Sequence, residues 1–467
     1  MRIGLVYANA GKKEKALHVG LASIAAFARH VHPDLEILIL DTRISTEHEV
    51  EQFIRSKFDL VGITAMAGIF RQVLDIAKRI KQACPDSVVC VGGPYVSTLD
   101  TGILEFRDID LAVYGEGEET FSEIITALKH ASTYDGIAGL MHRDSTGRPV
   151  KNPARRATAS IDDLPRPAYD LFKMDAYPVH RIVTSRGCPF KCTFCSSAVV
   201  WENRWKKRSA KSLVDEMAFL VQRYGRKTFF FNDDTFNMSM KRAEEVCDEL
   251  IARKLNVLWS TPLRADRITP ELAAKMKAAG CYNVGIGIES ANNGLLALME
   301  KDTTIEAITE GIRIFRAHGI EVLGQFLIGN MGETQETFEQ TLRYALDSEL
   351  DFVLFYSVLP YKGTKQWDYI EEHGRFLHHV IHEFQDIDPR IIFETPEFTY
   401  AERLDAIHRT KAYGFYVDDN RMSLVFDFGR TAAKHFQRIL PPQIGNAVYL
   451  GMKGFYRKHL RNKVIKQ

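Results

Sequence analysis

The chain lacks the features that mark a membrane-spanning, secreted or nucleic-acid-binding protein. Its 61 Lys and Arg residues nearly cancel its 60 Asp and Glu residues, whereas a general nucleic-acid binder normally has a basic excess. No apolar run approaches the roughly 20 residues that a membrane-spanning helix needs. The apolar start of the chain is interrupted by Asn9 and by Lys12, Lys13 and Lys15, which does not match a signal peptide. We therefore expect a cytoplasmic protein that does not bind nucleic acid.

Cysteine is also scarce, and its spacing decides how the seven thiols are interpreted. In a cytoplasmic protein, cysteines are free thiols or metal ligands rather than a disulfide framework. A structural zinc site needs four Cys or His ligands, commonly in paired spacing, and the chain has no second Cys-x-x-Cys pair. Four cysteines stand singly and are interpreted as small, buried apolar residues: Cys84, Cys90, Cys247 and Cys281.

At 467 residues the chain is too long for one hydrophobic core, and its first third has the pattern of a doubly wound sheet. Short apolar segments rich in β-branched residues alternate with helical stretches such as 21–31 and 69–83, in which apolar residues recur every three or four positions. The predicted strands cover residues 2–8, 35–41, 60–66, 87–93 and 111–117. This alternation predicts an α/β fold whose parallel sheet is flavodoxin-like (Rossmann-type), with the strand order 2-1-3-4-5.

Glycines follow several of these strands, at the edge where an α/β sheet commonly binds its ligand. They include Gly68, the pair Gly92–Gly93 before Pro94, and Gly115. Glycine lets a ligand approach the backbone closely, or it simply turns the chain into the next helix. The residues alone leave both interpretations open.

The centre of the chain holds its most specific motif, in which Cys188, Cys192 and Cys195 have a C-x3-C-x2-C spacing. Three thiolates in one short loop that contains Gly and Pro can hold one side of a 4Fe–4S cubane. Because three ligands leave one iron open, a small molecule can bind there.

This motif, with the aromatic Phe194 before its last cysteine, resembles that of the radical S-adenosylmethionine (SAM) superfamily. The resemblance continues through residues 181–365, where it implies a partial (β/α)6 barrel with SAM at the open iron. It implies SAM contacts at six positions: Phe194, Asp233, Asp234, Arg264, Glu289 and Gly329. From the residues alone, an Asp pair is also a common helix N-cap, and a buried Arg–Glu pair between strands would also account for Arg264 and Glu289.

The stretches VGITAMAG, CVGGPYVS and AVYGEGEETFSEI resemble the cobalamin-binding domain that precedes many radical SAM enzymes. The resemblance implies corrinoid contacts at six positions: Thr64, Gly68, Gly92, Gly93, Pro94 and Gly115. The Asp-x-His-x-x-Gly motif that supplies a histidine to cobalt in many cobalamin proteins is absent. Its absence implies a cobalt without a protein histidine, or no cobalamin. His18 stands near Gly20, where relatives usually have Pro-Leu-Gly-Leu, and a lone His before a helix is more typical of a capping or surface residue than of a ligand.

The motifs divide the chain into four predicted segments: a cobalamin-binding-like domain over 1–135, a hairpin and linker over 136–180, the radical SAM barrel over 181–365, and a mainly helical C-terminal region over 366–467. In the last segment, His378, His379 and His382 could bind metal or form a solvated helix face. The basic, amphipathic residues 451–467 could contact an anionic membrane surface or an acidic substrate, or form a soluble tail.

Together these features predict a cobalamin-dependent radical SAM enzyme that methylates an unactivated carbon of a small-molecule or lipid-like substrate. As the resemblance implies, a 5′-deoxyadenosyl radical would abstract a substrate hydrogen, and methylcobalamin would supply the methyl group. An electron donor such as flavodoxin or ferredoxin would reduce the 4Fe–4S cluster. Two alternatives stay open: radical SAM cyclisation or rearrangement without methyl transfer, and a non-catalytic iron–sulfur or corrinoid-binding protein.

Overall fold

The computed structural model describes residues 1–9, 16–155, 160–177, 179–378 and 390–417. His379, His382 and the basic segment 451–467 lie outside these residues. Within the described ranges, no helix has the length and apolar character needed to cross a membrane.

A seven-stranded sheet forms the N-terminal part. Its first five strands are parallel and have the order 2-1-3-4-5, as the strand–helix alternation predicts. These strands are β1 (Arg2–Tyr7), β2 (Glu36–Asp41), β3 (Leu60–Thr64), β4 (Val88–Gly92) and β5 (Leu111–Val113). β3 and β5 are buried along their whole length, and strands covered on both faces have continuous apolar sequences rather than alternating ones.

Four helices connect these strands, a fifth follows β5, and all pack with the strands into one hydrophobic core. They are α1 (Val19–Val31), α2 (Glu47–Ile54), α3 (Phe70–Ala83), α4 (Pro94–Leu99) and α5 (Glu118–Lys129). A capping box between Thr46 and Glu49 starts α2. The side chain of His18 caps α1 by accepting a hydrogen bond from the Leu21 N–H, which confirms the capping interpretation of this residue.

The predicted hairpin extends the same sheet. β6 (Leu140–Arg143) pairs antiparallel with β5, and β7 (Pro149–Lys151) pairs antiparallel with β6. The N-terminal sheet therefore continues beyond residue 135. The proline-punctuated residues 160–177 contain three short 3-10 turns and no α-helix or strand, as expected.

Residues 180–357 form a second sheet, in which six parallel strands follow the chain order. A short antiparallel pair, β9 and β10, interrupts the series after its first strand. The strands of this region are β8 (His180–Ile182), β9 (Ser185–Arg186), β10 (Lys206–Lys207), β11 (Thr228–Phe231), β12 (Leu258–Leu263), β13 (Cys281–Glu289), β14 (Glu321–Ile328) and β15 (Phe352–Ser357). The predicted partial (β/α)6 architecture is confirmed.

Helices connect these strands and pack against them in a second core. They are α6 (Ser196–Trp201), α7 (Ala210–Tyr224), α8 (Met240–Arg253), α9 (Pro270–Ala278), α10 (Asn293–Leu298), α11 (Ile305–Ala317) and α12 (Gln335–Asp347). Thr269, Thr304 and Thr334 cap α9, α11 and α12, and each side-chain oxygen accepts a backbone N–H of the first turn. These caps set where the helices start after the strand ends that carry the candidate site.

The described part of the C-terminal region is largely helical, as predicted. It contains α13 (Lys365–His373), a small hairpin of β16 (Arg375–Phe376) and β17 (Phe393–Glu394), and α14 (Tyr400–Ala412). α14 packs against α12 and β14. Its Arg403 is buried against the second sheet's edge, with its guanidinium 4.3 Å from the ring centroid of Phe393.

Candidate active site between the two sheets

The three motif cysteines lie in one loop at the carboxyl edge of the second sheet. The loop leaves β9 at Gly187 and ends at Cys195, the residue before α6. Gly187 has a φ of +79°, and a Cβ there would lie 2.1 Å from the backbone oxygen of Arg204. Only glycine fits this position, so the residue before Cys188 sets the path of the loop.

The three thiols are free and half-buried. A charge on Cys188 raises the pKa of both Cys192 and Cys195. Burial is the main cause of the raised pKa of each thiol, and the pKa of Cys195 reaches about 12. Ligation as thiolates therefore needs a positive centre to offset burial, and iron supplies one.

Contacts from three sides hold the cysteine loop. Thr193 N donates to Met299 O at 3.0 Å, and Gln366 N donates to Thr193 O at 3.0 Å. The Arg264 guanidinium lies 3.9 Å from the ring centroid of Phe190, which stands between the first two cysteines. These backbone hydrogen bonds and the stacking do not involve the thiols, of which Cys188 also contacts Thr235 Oγ1 through its Sγ at 3.9 Å.

The two adjacent aspartates after β11 have different surroundings. The buried Asp233 carboxylate accepts four hydrogen bonds, from the backbone N–H and the hydroxyl of both Thr184 and Ser185. Asp234 accepts one, from Ser197 Oγ at 2.9 Å, and it lines a cavity described below. Desolvation raises the pKa of Asp234. Asp233 thus holds the segment that leads into the cysteine loop, and Asp234 faces ligand space.

Neither aspartate is the cap of the following α-helix, so that interpretation of the pair is wrong. Ser239 is the cap of α8: its side-chain hydroxyl accepts a hydrogen bond from the backbone N–H of Arg242 in the first turn. Phe194, the aromatic residue of the cysteine motif, is half-buried and packs against the core of the second sheet.

Arg264 and Glu289 do not pair with each other, so the Arg–Glu pair is also wrong. Arg264 Nε and Nη2 donate to Asp266 at 3.0 and 2.8 Å, whereas Glu289 Oε1 accepts from Lys301 Nζ at 3.0 Å. Glu289 and Lys301 are both buried. Glu289 also has a φ of +64° at the end of β13, a left-handed conformation that costs energy for an L-residue and recurs at functional sites.

Gly329 follows β14 and donates its N–H to the carboxylate of Glu333. Glu333 is fully buried and also accepts the Asn330 N–H at 3.1 Å. Burial raises the pKa of Glu333 to about 7, although these donors and the nearby Arg403 lower it. A buried acid therefore fixes the turn in which Gly329 lies.

A cavity of about 460 Å³ lies between the carboxyl edges of the two sheets. Five of the six positions predicted to contact cobalamin line it: Thr64, Gly92, Gly93, Pro94 and Gly115. Gly68 lies in the 3-10 turn Ala67–Ile69 and does not line the cavity. Arg186, Gly187 and Asp234 line it from the second sheet. Of the six positions predicted to contact SAM, Asp234 alone lines the cavity, and the three motif cysteines do not. The cavity therefore runs from the predicted cobalamin edge to the start of the cysteine loop, not to its thiols.

Four charged residues join the two sheets beside this cavity. Arg186 Nη1 lies 3.0 Å from Glu116 Oε1, its Nη2 lies 2.6 Å from Glu118 Oε1, and Lys206 Nζ lies 2.5 Å from Glu116 Oε2. Their side chains are at most 17% exposed. The network ties the residue before Gly187 to the turn between β5 and α5. No sequence pattern pairs residues 70 positions apart, so sequence reasoning missed it.

The residues present fit a cluster and a flat ligand. Among the described residues, no three Cys, His, Asp or Glu side chains converge on one metal-ion position. A cubane does not need that convergence, because Cys188, Cys192 and Cys195 would each bind a different iron and leave the fourth iron open to a small molecule. The backbone at Gly92 and Gly93 presents no side chain to the cavity, so a broad ligand can lie against it.

Comparisons with known proteins agree with this arrangement. The model of the radical SAM superfamily matches residues 182–345, and that of the B12 binding domain matches residues 12–125. The uncharacterized methyltransferase PH0819 of Pyrococcus horikoshii is 32% identical over 85% of this chain and 87% of its own length. An anaerobic magnesium-protoporphyrin IX monomethyl ester cyclase of Rubrivivax gelatinosus is 31% identical over 65% of this chain, and the match spans 57% of the cyclase. Cytidylyl-2-hydroxyethylphosphonate methyltransferase of Streptomyces wedmorensis is 27% identical, with 66% of this chain and 65% of that enzyme covered.

Two solved structures share the fold. The radical SAM methyltransferase TsrM from Kitasatospora setae, with cobalamin and a [4Fe-4S] cluster bound, has a TM-score of 0.68 and 22% identity, over 79% of this chain and 74% of its own. The cobalamin-dependent SAM radical enzyme OxsB, with aqua-cobalamin and SAM bound, has a TM-score of 0.72 and 16% identity, over 98% of this chain and 71% of its own.

Proposed function

Because the chain belongs to the cobalamin-dependent radical SAM enzymes, we propose that it methylates an unactivated carbon of a small-molecule or lipid-like substrate. The observation that carries this proposal is the cavity that runs from Thr64 and Gly93 to Asp234 beside the cysteine loop. A methyl source on the first sheet and a hydrogen-abstracting group on the second must reach the same carbon, so both must open onto one space.

The chemistry follows from the inertness of such a carbon, which offers neither a lone pair nor an acidic proton for polar methyl transfer. When bound, the cluster with SAM supplies a hydrogen-abstracting radical, and cobalamin supplies the methyl group. The protein's task is to hold these groups in register and to shield the reaction from water.

Named residues divide that task. We assign cluster ligation to Cys188, Cys192 and Cys195. We assign contact with the SAM ammonium group to Asp234, because among the described residues its carboxylate accepts a hydrogen bond from Ser197 alone, at Oδ2. We assign the SAM sugar hydroxyls to Glu289, which Lys301 holds at the end of β13. Arg264 acts through Phe190, on which it stacks, rather than by contact with SAM.

The lining of the cavity supports an apolar or partly apolar ligand. Beside the glycines, it includes Leu5, Val113, Phe121, Val200 and Trp201. Such a surface favours a ring or chain that loses water on binding. Since the corrinoid would lie against the first sheet, Val200 and Trp201 of α6, on the side of the second sheet, are the residues of this list that would face a substrate, and they favour a substrate with an apolar part.

The test uses full-length protein purified without oxygen, with iron and sulfide restored and hydroxocobalamin supplied. Bound iron and corrinoid are quantified, dithionite and SAM are added, and 5′-deoxyadenosine and S-adenosylhomocysteine are followed. We expect one 4Fe–4S cluster, stoichiometric corrinoid, and both products. A flavodoxin or ferredoxin that replaces dithionite would identify the class of electron donor.

The outcomes separate the alternatives. Relatives similar to this chain in sequence include a methyltransferase and a cyclase, so 5′-deoxyadenosine without S-adenosylhomocysteine would favour cyclisation or rearrangement. A cluster that never cleaves SAM would favour a non-catalytic binding protein. A Cys192→Ala variant with full turnover would contradict the radical mechanism itself.

A further inference from the structure

His18 lies at the switch point of the first sheet, where the strand order reverses between β1 and β3. Its ring centroid is 5.0 Å from that of Tyr7, the last residue of β1, and its Nε2 is 3.5 Å from Oγ1 of Thr64, the last residue of β3. All three residues line the cavity. A histidine here could serve a bound corrinoid as a cobalt ligand or as a hydrogen-bond donor, and its proton decides between these roles.

The helix cap fixes where that proton lies. His18 Nδ1 accepts a hydrogen bond from Leu21 N at 3.2 Å, and a ring nitrogen that accepts such a bond carries no proton. Burial, followed by the nearby Arg43 and Arg181, lowers the pKa of His18 to about 4. The ring is therefore neutral near pH 7, and a neutral imidazole with a bare Nδ1 carries its proton on Nε2.

Neighbouring groups keep the ring in this orientation. Asp41 holds Arg43, whose guanidinium stacks 4.3 Å from the ring centroid of Tyr7, and Tyr7 in turn packs against His18. A Cβ at Gly20 would lie 3.0 Å from Cε1 of His18, so the glycine leaves room for the imidazole. Turning the ring over would break the cap of α1.

We propose that His18 binds the corrinoid as a hydrogen-bond donor through Nε2–H. The proposal rests on the cobalamin site of the proposed function. A protonated nitrogen has no lone pair to give to a metal, whereas it can donate to an amide or phosphate oxygen of the corrinoid. Thr64 Oγ1 is a weak partner at 3.5 Å, so the donor remains available to a ligand in the cavity.

The affinity test separates the cap from the donor. Asn is as good an N-cap as any residue, so His18→Asn keeps the cap of α1 but removes the ring donor, and His18→Ala removes both. Hydroxocobalamin affinity is measured on the full-length protein by equilibrium dialysis. We expect both variants to bind about fivefold more weakly, the effect of one hydrogen bond, and only His18→Ala to melt at a lower temperature. His30→Asn, an exposed position on α1, should bind like the wild type.

The same measurement with cobinamide, which lacks the nucleotide phosphate, identifies the acceptor. A fivefold loss that persists indicates an amide oxygen, and a loss that disappears indicates the phosphate. Equal hydroxocobalamin affinity of the wild type and His18→Asn overturns the proposal.

Electron paramagnetic resonance tests the cobalt ligand directly. In protein loaded with reduced cobinamide, we expect no nitrogen splitting that responds to ¹⁵N-histidine labelling. A labelled splitting that His18→Asn abolishes would make His18 a ligand and overturn the proposal. A wild type that binds no corrinoid at all would overturn the proposed cobalamin function and this proposal together, whereas the two outcomes above overturn only the role of His18.

Discussion

The carboxyl edges of the two sheets differ strongly in the residues that they carry. On the second sheet, charged side chains are held by fixed partners: Asp233 by four donors, Arg264 by Asp266, and Glu289 by Lys301. On the first sheet, the predicted contacts are mostly glycines and backbone, with Thr64 beside them. The second edge works through oriented side-chain charge, and the first mainly through the shape of its backbone, with His18 as the proposed side-chain donor.

The difference follows from the groups that each edge serves. Iron and the ammonium and sugar groups of SAM need thiolates, carboxylates and hydrogen-bond acceptors, which side chains provide. A corrin ring is broad, so a backbone without protruding side chains suits it. The Arg186 network then holds the two edges in register, because buried, paired charges are costly to separate.

Cys192→Ala should give the largest effect and act on the second edge alone. Loss of one thiol from a three-thiol set should abolish the 4Fe–4S cluster and SAM cleavage, while hydroxocobalamin still binds. Iron analysis, 5′-deoxyadenosine assay and dialysis measure the three quantities. Cys84→Ser, a half-buried cysteine outside the loop, serves as the control, and a Cys192→Ala protein with a full cluster would contradict the assignment.

Gly93→Ala should give the next largest effect and act on the first edge alone. Gly93 has a φ of +108°, and a Cβ would lie 2.7 Å from the backbone oxygen of Ala65, so the turn must shift. We expect corrinoid affinity to fall about five- to hundredfold, the range that a strain of about 1–3 kcal/mol corresponds to, with iron content unchanged. Gly102→Ala, where a Cβ meets nothing within 4 Å, should leave the affinity unchanged; a similar loss there would refute the role of backbone shape.

The same contrast explains what could be predicted from the sequence. Strand order followed from hydrophobic periodicity, and the cysteine site followed from spacing within a single loop, because both are local patterns. The partners of Arg186 and the Lys301 that holds Glu289 could not be predicted, since chain folding alone brings them together. The glycines indicate an edge of the sheet where a ligand could bind but do not identify the ligand. The cobalamin interpretation therefore depended on the resemblance to the cobalamin-binding domain.

The aspartate pair shows the limit within one motif. Asp233 and Asp234 are adjacent and chemically identical, so no pattern in the sequence distinguishes them. The structure separates them by their donors, because Thr184 and Ser185 occupy the oxygens of Asp233. This difference leads to paired variants with opposite expected effects.

Asp233→Asn and Asp234→Asn should separate support of the cysteine loop from SAM binding. An amide at 233 turns an NH₂ group toward existing donors, so we expect a lower melting temperature and less iron, with a cost of about 2–4 kcal/mol. Asp234→Asn should keep the iron and weaken SAM binding about tenfold, as loss of one charge-assisted hydrogen bond does. Calorimetry and iron analysis measure both variants, and the reverse result would exchange the two roles.

Glu333→Gln should have the smallest effect on catalysis and a defined effect on the pH dependence of stability. Burial raises the pKa of Glu333 from its ordinary 4.5 to about 7, so the folded state favours the neutral acid. The burial of neutral Glu333 contributes its full stabilisation below pH 4.5, and this stabilisation is lost as the pH rises through about 7. The loss lowers the free energy of unfolding by roughly 3 kcal/mol. Glutamine cannot ionise, so urea midpoints measured from pH 5 to 8 should fall for the wild type and less for the variant. Glu336→Gln, on the exposed side of the same segment, should follow the wild type; if Glu333→Gln does so too, Glu333 is not the titrating group, and Arg403 beside it keeps the acid ionised.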